Sequence, residues 1–141
     1  MKAQIFIDGA ARGNPGPAGI GVFIKNDKAI LAEVSDYIGK TTNNVAEYMA
    51  LIRGLEEAID LDEDRVEVYS DSELLVKQIQ GEYRVKNEGL IPLHHHAKSL
   101  IRKFKHFMIS HIIREQNKMA DKLANKGIDD HATHNSPLFS Q

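Results

Sequence analysis

The chain contains no cysteine, which excludes disulfides, thiolate metal sites and cysteine nucleophiles. Tryptophan is also absent. No apolar run approaches the ~20 residues that a membrane helix needs. The first eight residues, Met1 to Asp8, read as a strand and lack the long apolar core and small-residue cleavage site of a secretion signal. These absences lead to the expectation of a cytoplasmic protein with no membrane partner. An excess of one charge is missing as well: 18 Lys and Arg stand against 20 Asp and Glu, for a net charge of -2. Such a balance does not advertise nucleic-acid binding. It does not forbid it either, because bound metals invert the field of an acidic site. At 141 residues, 42% hydrophobic and 27% charged, the chain has the length and composition of one domain with a real core.

Residues 4–8 alternate as a strand. The run from Gly9 to Gly19 (GAARGNPGPAG) is dense in Gly and Pro, which predicts a shaped loop. Two apolar stretches, 20–24 and 29–34, flank Asn26-Asp27-Lys28 and predict an antiparallel hairpin. Beyond Thr41-Thr42-Asn43-Asn44, apolar residues recur at Val45, Ala46, Met49, Ala50, Ile52, Leu55, Ala58 and Ile59, a helical spacing with an Asn or Thr cap. Residues 65–70 form a further strand, Asp71-Ser72 cap a helix over 73–80, and Pro92 suits the first turn of another helix reaching about residue 104. A last strand over 106–113 and a helix from Asn117, with Ala120, Leu123, Ala124 and Ile128 on one face, complete the pattern. Three strands followed by α/β alternation predict an α/β fold: a mixed sheet with helices on its faces. The domain is expected to span residues 1–130, with 131–141 as a flexible tail.

Four acids fall at the ends of these elements: Asp8 closes the first strand, Glu47 lies in the first turn of the first helix, Asp71 follows the fourth strand, and Asp121 opens the last helix. Each alone has an ordinary explanation, since acids complement a helix N-terminus and cap helices. Together they suggest more. If the first and fourth strands are parallel neighbours, their C-terminal ends meet at a crevice and bring Asp8 beside Asp71. Carboxylates gathered there need counter-charge, and an all-oxygen donor set suits Mg²⁺ or Mn²⁺.

Four blocks carry a resemblance. They are Asp8-Gly9-Ala10-Ala11-Arg12-Gly13-Asn14-Pro15-Gly16-Pro17-Ala18-Gly19, Thr42-Asn43-Asn44-Val45-Ala46-Glu47-Tyr48-Met49-Ala50-Leu51, Tyr69-Ser70-Asp71-Ser72 and Arg114-Glu115-Gln116-Asn117-Lys118-Met119-Ala120-Asp121-Lys122-Leu123-Ala124-Asn125. In this order they resemble the signatures of type I ribonucleases H, over roughly residues 3–129. The resemblance implies the ribonuclease H-like five-stranded sheet, three strands antiparallel and the rest parallel. It also implies an endoribonuclease that cuts the RNA strand of RNA–DNA hybrids, leaving 5′-phosphate and 3′-hydroxyl ends. Two Mg²⁺ ions (or Mn²⁺), about 4 Å apart, would be held by Asp8, Glu47, Asp71 and Asp121. Gly13, Asn14, Thr42, Asn43, Asn44, Ser72 and Glu73 match the family's hybrid-contacting positions. The backbone amide of Ala11 is a further candidate contact, and Asn14 and Thr42 are candidates for a DNA-strand phosphate. The protein is expected to act as a monomer.

The chain departs from the family pattern at three places. Glu73 stands where many relatives have Gln. Residues 81–91 are too short for the extra helix and basic, Trp-containing protrusion of many members, which implies the compact form and weaker hybrid binding. The loop that carries a catalytic His elsewhere is cut to about residues 113–116, so Arg114 is expected to take its place. Ungapped alignment instead points to His111, which reads as part of the strand. An Arg there could hold a phosphate but could not shuttle protons. The run His94-His95-His96 cannot chelate one ion from a helix, since successive residues diverge by ~100°. Lys98, Arg102, Lys103 and Lys105 read as a solvated face. Two alternatives remain open: a ribonuclease H-fold nuclease acting on duplex RNA or branched DNA, and a non-catalytic hybrid-binding protein. The paired Asn43-Asn44 beside Glu47 counts against a branched-DNA nuclease while leaving duplex RNA open, and the presence of all four acids counts against the non-catalytic reading.

Overall fold

Alternation of apolar side chains builds the first strand, β1 (Ala3–Ala11), which buries Ala3, Ile5 and Ile7 on one face. In this computed structural model, which describes residues 2–134, a tight turn at 12–15 leads into β2 (Gly16–Lys25), and β3 (Ile30–Thr41) follows. The turn between β2 and β3 is closed by Asn26, whose Oδ1 accepts from the amides of Lys28 and Ala29, both at 2.9 Å. Helix α1 (Asn43–Asp60) starts at Thr42, whose hydroxyl accepts from the Val45 amide at 3.3 Å. After β4 (Arg65–Ser70), Ser72 caps α2 (Glu73–Ile79) in the same way, accepting from Leu75 at 3.2 Å. Helix α3 (Ile91–Ile101) carries Pro92 in its first turn, where the missing N–H has no partner to lose. It leads to β5 (His106–His111), a single 3₁₀ turn (Arg114–Gln116) and α4 (Lys118–His134).

The sheet has five strands in the order β3-β2-β1-β4-β5. β1 and β3 both run antiparallel to β2, while β4 is parallel to β1, and β5 to β4. This is the mixed sheet expected from the element order. Odd-numbered residues of β1 and even-numbered residues of β2 face α1, so Ile5, Ile7 and Val22 pack around Gly54. α3 packs on α1. The core is completed by Ile24, Leu51, Leu55, Val66, Val68 and Leu75. Burying each large branched side chain contributes roughly 1.5–3 kcal/mol. His94 meets the Tyr48 ring edge-on at 6.2 Å. Among the described residues, no helix is long and apolar enough to cross a membrane.

The other face of the sheet is covered by α4, and here the structure departs from the expected loop at 9–19. The strands extend through most of that run, leaving only residues 12–15 as the turn. The glycines of β2 mark close approach rather than reversal. A Cβ at Gly21 would collide with the Ala120 carbonyl, and the Ser35 hydroxyl donates to the Leu123 carbonyl at 2.6 Å. α4 also continues to His134, into the segment read as a tail. It is fastened late in its length by the ion pair of Arg12 with Asp129 at 2.7 Å and by Tyr37 stacked on His131, with ring centroids 3.6 Å apart. The remaining tail positions, 135–141, lie outside the described residues. Gly21→Ala should therefore lift the start of α4 and cost about 1–3 kcal/mol of overpacking. Urea unfolding measures this, and a loss below about 0.5 kcal/mol would mean the helix does not rest on that glycine.

Candidate active site

The sheet register accounts for the first acids. Ile7 of β1 pairs with Ser70 of β4, so Asp8, the next residue of β1, and Asp71, just past β4, lie side by side where the β1–β4 pairing ends. β1 itself runs on to Ala11, so Asp8 does not close it as expected. Asp8 is an even-numbered residue of β1 and faces α4. Its cross-strand partner is Gly21, which lies under Ala120, and this places Asp8 next to Asp121. Gly9 points the other way, into α1. A Cβ there would collide with the Ala46 carbonyl and the Glu47 amide, so only glycine lets α1 come this close. The contact is used: the Gly9 amide donates to Glu47 Oε1. Glu47 falls in the second turn of α1 rather than the first, because the helix already begins at Asn43. The dipole explanation for an acid at this position therefore lapses. Glu47 is 4% exposed and Asp8 6%, which carboxylates tolerate only with compensation.

Ligand oxygens of Asp8, Glu47 and Asp71 lie within 4.8 Å of one another. Asp121 borders this trio without joining it at that distance, and its Oδ1 lies 3.9 Å from the Arg114 guanidinium. Burial raises the Asp8 carboxyl far above its ordinary range, and the charges of Glu47, Asp71 and Asp121 raise it further. Glu47 is raised by burial too, against the lowering effect of the Gly9 amide. Asp71 is raised by burial, partly offset by a hydrogen bond from Asn117 and the charge of Arg114. Crowded, desolvated carboxylates with an all-oxygen donor set fit a hard divalent cation, whose charge would offset both the burial and the mutual repulsion behind these shifts. They open onto a cleft of about 630 Å³.

Asn43, Ser72, Arg114 and His111 also line that cleft. Arg114 occupies the shortened loop as expected. His111 ends β5 and reaches the same wall, so geometry leaves both beside the acids. Gly13, Asn14, Thr42, Asn44 and Glu73 are not among the cleft-lining residues. Asn14 Oδ1 accepts from the Asn43 amide at 3.0 Å, so this side chain ties the β1–β2 turn to the start of α1. Ser72 both caps α2 and hydrogen-bonds Glu47.

Two residues escaped the sequence reading. Asn117, 1% exposed, donates from Nδ2 to the Ile7 carbonyl at 2.8 Å and contacts Asp71, while its main-chain carbonyl accepts from the Asp121 amide at 3.1 Å. Asn125 lines the cleft and donates to Asp121. Their spacing was the available signal: Asn117, Asp121 and Asn125 stand four apart and form one polar stripe.

The raised carboxyls have a stability consequence. Without metal, the folded chain holds protons that the unfolded chain releases near pH 4. Stability is then fully present below that value and falls as pH rises through the raised ones. In EDTA, the calorimetric Tm should decline from mildly acid to alkaline pH. Asp8→Asn should flatten the decline and raise the alkaline Tm by roughly 3 °C for each kcal/mol relieved. A flat wild-type profile would contradict the shifts.

Comparison with known proteins agrees with this geometry. The family model described as reverse transcriptase-like matches residues 6–127. A bifunctional protein of Mycobacterium tuberculosis is 42% identical over 131 residues, covering 92% of this chain and 36% of the relative. The ribonuclease HI of Halobacterium salinarum is 42% identical over 130 residues, covering 92% of this chain and 65% of the relative. The chain thus spans less than two thirds of either relative. The crystal structure of a Halobacterium salinarum ribonuclease H1 superposes with a TM-score of 0.89 at 41% identity, covering 92% of this chain and 99% of that one. LC11 ribonuclease H1, solved in complex with an RNA/DNA hybrid, gives 0.86 at 46% identity over 92% and 98% of the two chains. The chain belongs to the reverse transcriptase-like family and, within it, to the compact type I ribonucleases H.

Proposed function

We propose that the protein is an endoribonuclease that hydrolyses the RNA strand of RNA–DNA hybrids and leaves 5′-phosphate and 3′-hydroxyl ends. In this reading Asp8, Glu47, Asp71 and Asp121 hold two Mg²⁺ ions, for which Mn²⁺ can substitute. The observation that carries it is the convergence of three buried or half-buried carboxylates within 4.8 Å, with Asp121 alongside, in one open cleft. Divalent ions bound there supply Lewis acidity to the phosphate and a water acidified enough to attack it.

The chain's own part is placement. Gly9 and Ser72 fix Glu47 from two sides. Asn117 ties Ile7 of β1 to Asp71 and to the first turn of α4. Asn43 and Ser72, on the cleft wall, are suited to hydrogen-bond a 2′-hydroxyl, which only the RNA strand has. Asn44 and Glu73 flank them on exposed helix starts. Gly13, Asn14 and Thr42 form the shoulder for a DNA-strand phosphate, with the Ala11 amide beside them. Arg114, whose side chain is 78% exposed, can reach into the cleft to hold a phosphate or help a product leave, and it stays charged throughout. The hybrid complex of the LC11 relative supports the substrate assignment. The same reading makes the protein a cytoplasmic monomer.

Cleavage of hybrid, duplex RNA and duplex DNA in Mg²⁺, in Mn²⁺ and in EDTA tests the proposal, with hybrid cleavage in either metal and none in EDTA expected. Cleavage of duplex DNA in preference to hybrid would replace the proposal with a different nuclease. Asp8→Asn, Glu47→Gln and Asp71→Asn should each lower hybrid cleavage at least about a hundredfold, with circular dichroism unchanged. Retained turnover in Asp71→Asn would defeat the site assignment. Arg114→Ala should lower kcat by more than it raises KM, and an unchanged kcat would transfer the role to His111.

A further inference from the structure

Asp121 borders the tight trio and meets it through Asp8, itself an acid, so a donor is needed to fix its carboxylate. Arg114 is a weak candidate: it lies 3.9 Å away with a side chain 78% exposed, and an ion pair of that kind contributes little. Asn125, one turn further along α4, is closer. Its Nδ2 lies 3.2 Å from Asp121 Oδ1 and 3.0 Å from the Asp121 main-chain carbonyl.

The direction of that amide is not arbitrary. Arg12 Nη2 lies 3.3 Å from Asn125 Oδ1, and a guanidinium carries donors only. The amide oxygen must therefore face Arg12, which turns the amide nitrogen toward Asp121. Arg12 is itself held by Asp129 at 2.7 Å. It opens the turn whose Asn14 accepts from the Asn43 amide at the start of α1. One short turn therefore links the helix that carries Glu47 to the helix that carries Asp121.

We propose that Asn125 is a positioning residue for Asp121, oriented by Arg12, and that it sets the strength with which the site takes up its divalent ions. The inference rests on the metal site proposed above and extends it to two residues of the cleft wall that are not among its metal ligands. Side chains that orient a ligand in this way are typically worth ten- to a hundredfold in metal affinity. A purely structural role predicts the opposite balance of effects. Asn is a poorer helix former than Ala or Leu, so replacing a half-exposed Asn125 should leave the fold unharmed or stabilise it.

The test is calorimetric titration of the substrate-free protein with Mn²⁺, alongside thermal unfolding in EDTA. Asn125→Ala and Asn125→Leu should raise the Kd of at least one ion roughly tenfold while Tm in EDTA does not fall. Arg12→Met should raise it by a smaller factor, about threefold. The double variant Arg12→Met/Asn125→Ala should bind no more weakly than Asn125→Ala alone, because Arg12 acts through the amide. A Kd within about twofold of wild type in both Asn125 variants would overturn the inference while leaving the metal site standing. Additive losses in the double variant would overturn the part played by Arg12. A wild type that takes up no Mn²⁺ would remove the proposed metal site and this inference together.

Discussion

Mutual repulsion among buried carboxylates is the constraint around which the rest of the molecule is arranged. Asp8 and Glu47 are almost fully withdrawn from water and face Asp71 and Asp121 across a narrow space. In isolation such a group would disperse or stay protonated. It persists because each acid is carried on a different rigid element, and each element is committed elsewhere by apolar packing. β1 is central in the sheet, α1 is anchored through Leu51 and Leu55, and α4 lies across the opposite face. Core burial thus supplies the force that holds the charges together.

Close approach is the means. Gly9, at the head of the Gly- and Pro-rich run, admits α1 on one face of the sheet, and Gly21, two residues beyond that run, admits α4 on the other. The short β1–β2 turn then fastens the two helices to each other, with Asn14 reaching the start of α1 and Arg12 reaching α4. Asn117 does the same from below, joining β1, Asp71 and α4. Amides suit these positions because they can donate to a carboxylate without adding a competing charge. The polar stripe of α4 is accordingly Asn, Asp, Asn. The compact form carries little outside this assembly: residues 81–90 hold neither helix nor strand.

Much of this was readable in advance, for specific reasons. Helical and alternating periodicities depend on burial of one face, so α1, β4 and the mixed sheet followed from apolar spacing. The acids stood out because they meet Gly-rich or Asn-rich blocks near expected element ends, although the structure places Asp8 within β1 and Glu47 in the second turn of α1. The misreadings have equally specific causes. Glycines at Gly9 and Gly19 signal a turn or a close helix with the same letter, and only the packing of α1 and α4 distinguishes the two. The length of α4 depended on Arg12 and Tyr37, which are far away in the chain. Asn117 and Asn125 were in plain view within a quoted motif, yet a lone Asn carries no sign of which oxygen or amide it will face.

Local sequence by itself determined most of the helices and strands, where the caps of α1 and α2 lie, and that four carboxylates fall near element boundaries in a chain without cysteine. These are consequences of short-range sterics and of the periodicity of burial. The tertiary structure decided which acids converge, that Asp121 borders the trio instead of joining it, and which amide faces which carboxylate. Those depend on strand register, on the distance at which a helix can rest on a glycine, and on donors brought together from more than a hundred residues apart, such as Arg12 and Asn125.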